Sequence, residues 1–201
     1  MKVLAGALIN ASLGAATLVR KLRFAGVSSE RELRDEILSL PDCPEADLGD
    51  FGRGAPPVRR MMLAALLCAW DHGKELPADT GVIGWNGSGC AAEDRRFWND
   101  YVDCGREAGR GGLFVPTLPT IPYDEAAIAL GCRGPSFYLR GEASAAELSE
   151  LLAGYPAGEY LVGEIFPDSA CALLIDNRAE AAEPPDRATL AELFHALEER
   201  R

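Results

Sequence analysis

The clearest pattern along the chain is a helical one. Between Val58 and Trp70, apolar side chains recur every three or four positions, which places them on one face of a helix. Pro57 suits the first turn of this helix, and Gly73 suits its end. The pattern therefore predicts a long helix that packs against a core.

Shorter apolar runs predict that strands and helices alternate along the rest of the chain. Strands are predicted at 3–9, 80–85, 136–139, 159–166 and 171–176. Helices are predicted at 14–24, 29–39, 92–104, 123–130 and 143–153, with a last one that begins near Asp186. The last two strands are joined by a turn too short for a parallel crossover, so they are predicted to be antiparallel. This alternation predicts an α/β domain of three layers, in which helices cover both faces of a five-stranded mixed sheet.

Length and composition predict a single domain over residues 1–201. Segment 41–57, rich in Pro, Gly and Asp, is predicted to be a surface loop, and 177–185 a linker to the C-terminal helix. Hydrophobic residues make up 48% of the chain and charged residues 25%, the balance of a soluble globular protein. We therefore expect a cytoplasmic protein.

The apolar run at 3–9 follows a lysine and leaves two interpretations open, a buried strand or part of a secretory signal. Asn10 and Ser12 interrupt the run, and no A-x-A cleavage pattern follows, which favours the strand. The chain has no uninterrupted apolar run of the length that a membrane helix needs. No membrane association is predicted.

The charge of the chain bears on its partners. The formal net charge is -11 at pH 7, with basic residues grouped near 20–23 and 53–60. Nucleic acid is not a predicted partner, because the chain lacks the surplus of Lys and Arg that neutralises phosphates.

Few residues suggest catalytic chemistry. The six cysteines form no C-x-x-C pair, and with only two histidines neither a metal nor another cofactor is predicted. The turn NGSG at 86–89 lacks the spacing of a phosphate-binding loop and is interpreted as a tight turn. Ser144 lies where a strand turns into a helix, and capping explains it better than nucleophilic attack.

Several segments together resemble the N-terminal half of the β-ketoacyl synthases. DTGVIGWNGSG resembles the family's strand and turn DTGVVVGTG, and the long helix before it ends in WDHG, a variant of EDAG. FVPTLPTIPYDEAAIALGCRGPSFYL is similar to the family's segment F-x-P-x-x-x-P-N-x-x-A-x-x-x-A-x-x-x-G-x-x-G-P. GEYLVGEIF and SACALLID resemble the two strands that follow it, and the order and spacings agree from residue 1 to about 180.

This resemblance implies one half of the thiolase-like fold. In complete ketosynthases the second half supplies two catalytic histidines, and nothing in this sequence corresponds to that half. Counting from Gly134 places Ala143 where the family has its catalytic cysteine, with Glu142 and Ser144 as neighbours. The resemblance therefore implies a degenerate site with no nucleophile. Glu142 would also raise the pKa of any thiol placed at 143, because like charge disfavours the thiolate.

Within the family, subunits of the chain-length-factor type lack the active cysteine and pair with an active ketosynthase. The resemblance implies a non-catalytic subunit of this type, in a fatty-acid, polyene or polyketide pathway. It implies a dimer, with a ketosynthase or a second copy, through the strand Ser136, Phe137, Tyr138 and Leu139. An acyl carrier protein would be engaged only indirectly, because such carriers are themselves acidic.

Two alternatives remain open. The chain could be a stand-alone homodimer that binds an acyl or other apolar ligand near Ala143. It could also be an enzyme that acts on thioesters through Ser144.

Overall fold

The structure, a computed structural model, describes residues 1–87, 90–105, 111–141, 144–178 and 189–200. The strands in this part of the chain are β1 (Lys2–Ile9), β2 (Ala15–Thr17), β3 (Arg23–Phe24), β4 (Gly81–Trp85), β5 (Ser136–Leu139), β6 (Glu159–Ile165) and β7 (Ala170–Asp176). The helices are α1 (Glu30–Leu38), α2 (Pro56–His72), α3 (Ala91–Cys104), α4 (Gly111–Phe114), α5 (Ile121–Ala129), α6 (Ala145–Ala153) and α7 (Leu190–Arg200).

All seven strands form one mixed sheet in the order β3-β2-β1-β7-β6-β4-β5. β4 runs parallel to both of its neighbours, β5 and β6, and the other pairs are antiparallel. The five predicted strands are all present, and the antiparallel pairing of the last two is confirmed.

The prediction of five strands and of a helix at 14–24 is wrong, because this segment folds back as β2 and β3. The carboxamide oxygen of Asn10 accepts the N–H groups of Ser12 and Gly14, at 3.1 and 2.9 Å, and closes a turn directly after β1. Leu13 has a φ of 59° and Lys21 a φ of 55°, which a continuous helix does not allow. The chain therefore returns antiparallel to β1 and adds two short strands to the sheet.

Helices cover both faces of the sheet, as predicted. One core lies between the sheet and α1, α2 and α5, and the second lies between the sheet and α6 and α7. α2 is the centre of the first core, where every residue from Met61 to Asp71 is buried. It begins with Pro56 and Pro57 and ends at Gly73, whose φ of 71° provides the left-handed C-cap.

A buried carboxylate joins α2 to the N-terminal strands. Asp71 is 1% exposed, and its two oxygens accept the backbone N–H groups of Gly6, Val19 and Arg20 at 2.8 to 3.0 Å. These hydrogen bonds supply the partners that a charge needs in an apolar interior. Asp71 thereby fixes the segment that follows β2 against the end of α2.

The segment predicted as a surface loop, 41–57, contains neither helix nor strand up to Ala55, but it is anchored to the core. Phe51 is fully buried, the backbone N–H of Asp47 donates to the carbonyl of Ala129 at 2.9 Å, and the Trp70 indole donates to the Pro41 carbonyl at 2.8 Å. Of the predicted linker 177–185, only 177–178 lie among the described residues. The predicted start of the last helix at Asp186 lies outside them as well.

Candidate functional site

The carboxyl ends of three parallel strands meet at one side of the sheet. β5, β4 and β6 end there at Leu139, Trp85 and Ile165. In open α/β sheets, ligands are generally held beyond this end of the strands. The turns after β4 and β5, where the sequence places its candidate residues, both begin here.

Two tyrosines shape the turn after β4. The hydroxyl of Tyr123 donates to the carbonyl of Trp85, and that of Tyr138 donates to the carbonyl of Asn86 at 2.6 Å. The two rings stack with their centroids 6.2 Å apart. Burial raises the pKa of the Tyr123 phenol well above its ordinary value, so it keeps its proton and remains a donor.

Two glycines make room for Tyr123. Gly84 of β4 and Gly163 of β6 are register partners in the sheet. A Cβ atom at Gly84 would lie 2.2 Å from the ring of Tyr123, and one at Gly163 would lie 2.6 Å from the sulfur of Met61. We conclude that these glycines serve packing between the sheet and its helices.

The turns after β4 and β5 approach each other. A Cβ atom at Gly87 would lie 3.4 Å from the carbonyl oxygen of Gly141, whose φ of 136° favours glycine. The predicted site residues Glu142 and Ala143 lie outside the described residues, as do 88–89 of the glycine-rich turn.

Ser144 is the N-cap of α6. Its hydroxyl accepts the backbone N–H of Glu147 at 3.1 Å and lies 3.1 Å from that residue's carboxylate. The chain's two histidines lie on other helices: His72 ends α2, and His195 lies on α7, 3.7 Å from the carboxylate of Glu198. The Ser144 hydroxyl therefore caps the N-terminus of α6.

The cysteine thiols are all free, and Cys68, Cys90 and Cys171 are buried. Burial raises the pKa of Cys90 to about 11 and that of Cys132 to about 11. Both therefore remain neutral thiols near pH 7, and the thiolate is the nucleophilic form. Among the described residues, no group of three or more His, Cys, Asp or Glu side chains could hold a metal ion.

β5 forms one edge of the sheet. Its strand partner among the described residues is β4, and its other side pairs with none of their strands. Ser136 is exposed and its hydroxyl contacts Asp124 at 3.1 Å, while Phe137 stacks on Tyr155 at a centroid distance of 4.8 Å. The strand predicted to mediate dimerisation is thus an edge strand of the described sheet.

α3 presents an apolar surface on the outside of the molecule. None of its fourteen residues is buried. Trp98 is 60% exposed and Val102 61%, and Phe97 packs edge-on against Phe114, itself 49% exposed. Large exposed apolar side chains are typical of interaction surfaces when they form a contiguous patch.

Two clefts lie beside the starts of α2 and α3. The first has a volume of about 340 Å³ and is lined mainly by apolar side chains. The second, of about 360 Å³, contains Arg53, Arg59 and Arg96. The two clefts share the lining residues Ala55, Glu93 and Pro116.

Three buried structural residues, Asp71, Tyr123 and Glu164, were not predicted from the sequence. The side chain of Glu164, 5% exposed on β6, accepts the backbone N–H of Leu190 at 2.9 Å and ties the sheet to the start of α7. Tyr123 was predicted to lie in the helix at 123–130, without a role of its own. The available signal for Glu164, as for Asp71, is an acidic residue within an otherwise apolar run.

The described residues contain no helix that is both long and apolar enough to cross a membrane. No protein-family model matches the sequence, and no curated protein matches it. The fold is nevertheless recognisable, and it is ketosynthase-like, as the sequence resemblance indicated.

One similar solved structure is described as a ketosynthase (ApeO) in complex with its chain length factor (ApeC), from Xenorhabdus doucetiae. The TM-score is 0.57 at 12% sequence identity, and the match covers 96% of this chain and 89% of the other. A second structure, ChlB3, described as an acyltransferase, matches with a TM-score of 0.42 and 14% identity over 99% of this chain and 63% of its own.

Proposed function

We propose that this chain is a non-catalytic, ketosynthase-like subunit that pairs with an active β-ketoacyl synthase. The paired complex would act in a fatty-acid, polyene or polyketide type of pathway. The observation that carries the proposal is the open sheet edge at β5, in a fold similar to that of a ketosynthase complexed with its chain length factor.

The two edge strands of the sheet, β3 and β5, differ in length and in charge. β3 ends one side with only two residues, Arg23 and Phe24, and Arg23 places a charge there, paired with Glu198 at 2.6 Å. β5 ends the other side with four residues and carries no charged side chain. An edge without charge or cover is a site where another strand can add, so β5 is the edge suited to a partner.

The proposal of a non-catalytic role rests on the alignment of Ala143 with the family's cysteine. The neighbouring hydroxyl supports it, because Ser144 is committed to capping α6. The chain's net charge of -11 opposes direct docking of an acidic carrier protein, so the catalytic partner would supply the basic docking surface.

Co-expression with a β-ketoacyl synthase from the same organism tests the pairing. We expect a stable complex of equal stoichiometry on gel filtration with light scattering. A chain that stays monomeric in the presence of that ketosynthase contradicts the proposal. A homodimer that ignores the ketosynthase would support self-pairing instead.

Two surface substitutions locate the interface. Ser136→Lys places a charge on the β5 edge, and Val102→Asp places one on the exposed face of α3. We expect each to weaken the complex at least about tenfold, since an unpaired charge in an interface is costly. Ser39→Lys and Leu38→Asp, at exposed positions on or beside α1, are the matched controls.

A further inference from the structure

The two clefts beside α2 differ in chemistry but adjoin each other. They share Ala55, Glu93 and Pro116, so a single ligand could extend from one into the other. Their volumes, about 340 and 360 Å³, fall in the range of small-molecule sites.

The first cleft suits an apolar chain. Its walls come from the starts of α2, α3 and α5 and from the end of β6 with the turn that follows, and they include Val58, Pro122, Ile165 and Phe166. The backbone groups at the start of α2 add little polarity, because Pro56 and Pro57 have no N–H. An apolar ligand would lose no hydrogen bond to this wall.

The second cleft suits an anion. Three arginines, Arg53, Arg59 and Arg96, line it against a single carboxylate, Glu93, in a chain whose net charge is -11. Guanidinium groups bind carboxylates and phosphates through paired hydrogen bonds.

The three arginines are not equally available. Arg59 is held by the carbonyl of Gly54 at 2.7 Å and by Glu30 at 3.4 Å, while the largely exposed Arg53 contacts Asp50 at 3.1 Å. Arg96 has no hydrogen bond or ion pair within the described part of the chain. It is therefore the cation most ready to meet a ligand.

We propose that the paired clefts bind a single-chain amphiphile with an anionic head. The head, a carboxylate or a phosphate monoester, would lie among Arg53, Arg59 and Arg96, and the chain would follow Val58 and Phe166. This proposal does not rest on pairing with a ketosynthase, because the site is built within one copy of the chain and does not include β5.

Titration calorimetry on the isolated chain tests the ligand class, below the concentrations at which the ligands aggregate. We expect saturable one-to-one binding of laurate or dodecyl phosphate, and the stronger of the two identifies the head group. Dodecanol and dodecyltrimethylammonium keep the chain without the anion, and acetate and inorganic phosphate keep the anion without the chain. We expect all four to bind at least about tenfold more weakly, since both parts of the ligand contribute.

Substitutions test the assignment of each cleft. Arg96→Gln should weaken binding of the better anion about tenfold, the effect of losing a charge-assisted hydrogen bond, and leave dodecanol unchanged. Arg133→Gln, at an exposed arginine that lines neither cleft, is the control. Ala92→Trp should block the apolar cleft, with Ala153→Trp on α6 as its control.

The proposal is overturned if neither anionic amphiphile binds saturably, if dodecanol binds as tightly, or if Arg96→Gln matches Arg133→Gln. Each of these outcomes is independent of the co-expression experiment. Failure of ligand binding and failure of ketosynthase pairing can therefore be told apart.

Discussion

α2 and α3 are helices of similar length with opposite surroundings. Twelve of the seventeen residues of α2 are buried, whereas none of the fourteen residues of α3 is. Both carry large apolar side chains, including Met62 and Leu66 on α2 and Trp98 and Val102 on α3. The apolar residues of α2 meet the sheet, α1 and α5, while α3 contacts mainly the segment at 111–117 within the described part of the chain.

An apolar helical face predicts that the helix is covered, but it does not show whether the covering residues belong to the same chain or to a partner. α2 is covered by its own chain. α3, close to the open carboxyl ends of the strands, has its apolar face toward the solvent in an isolated copy. The proposed partner would cover this apolar face of α3.

The largest effect is expected from truncating one side chain on each helix. Leu66→Ala should lower the free energy of unfolding by about 3 kcal/mol, since it leaves a cavity in a closed core. Trp98→Ala should change it by less than about 0.5 kcal/mol, because Trp98 is 60% exposed. Urea denaturation followed by circular dichroism measures both.

In the co-expression experiment, the order of the two effects should be reversed. We expect Trp98→Ala to abolish binding of the ketosynthase. The folded fraction of Leu66→Ala should still bind it. Equal losses of stability in the two variants would remove the distinction between a packed core helix and an unpartnered one.

A smaller effect is expected where the sheet packs on Tyr123. Gly84→Ala should cost about 2 kcal/mol through overpacking, because its Cβ would lie 2.2 Å from the ring. Gly87→Ala, in the turn just beyond, meets no described residue closer than 3.4 Å and is the matched control. If the two variants unfold at the same urea concentration, the packing assigned to Gly84 is wrong.

Periodicity and short-range turn chemistry were enough to predict much of the fold. The pattern from Val58 to Trp70 identified α2, and Gly73 marked its end. The tight turn after Ile165 identified the antiparallel pair β6 and β7. These features depend on residues close together in the chain, so a single sequence contains them.

Features that depend on distant residues could not be predicted in the same way. The segment that became β2 and β3 was assigned to a helix, because nothing local shows that Asp71 will accept the N–H groups of Val19 and Arg20. Likewise, Arg53 and Arg96 lie 43 positions apart, and only the fold brings them into one cleft. The resemblance identified the fold, and whether position 143 is a degenerate active site remains a prediction.

The smallest effect concerns Ser144, at the junction between the open edge strand and the packed helix α6. If its hydroxyl is a cap, Ser144→Ala should lower the free energy of unfolding by about 1 kcal/mol, and Ser144→Asp, which can also cap, should restore most of it. If it were a nucleophile, incubation with an acyl thioester would add the acyl mass to the wild type and not to Ser144→Ala. We expect no adduct on intact-mass analysis, because the hydroxyl lies against Glu147 and not against a histidine base. An adduct that disappears in Ser144→Ala would favour the thioester-acting alternative and would place chemistry at a residue that we assign to helix capping.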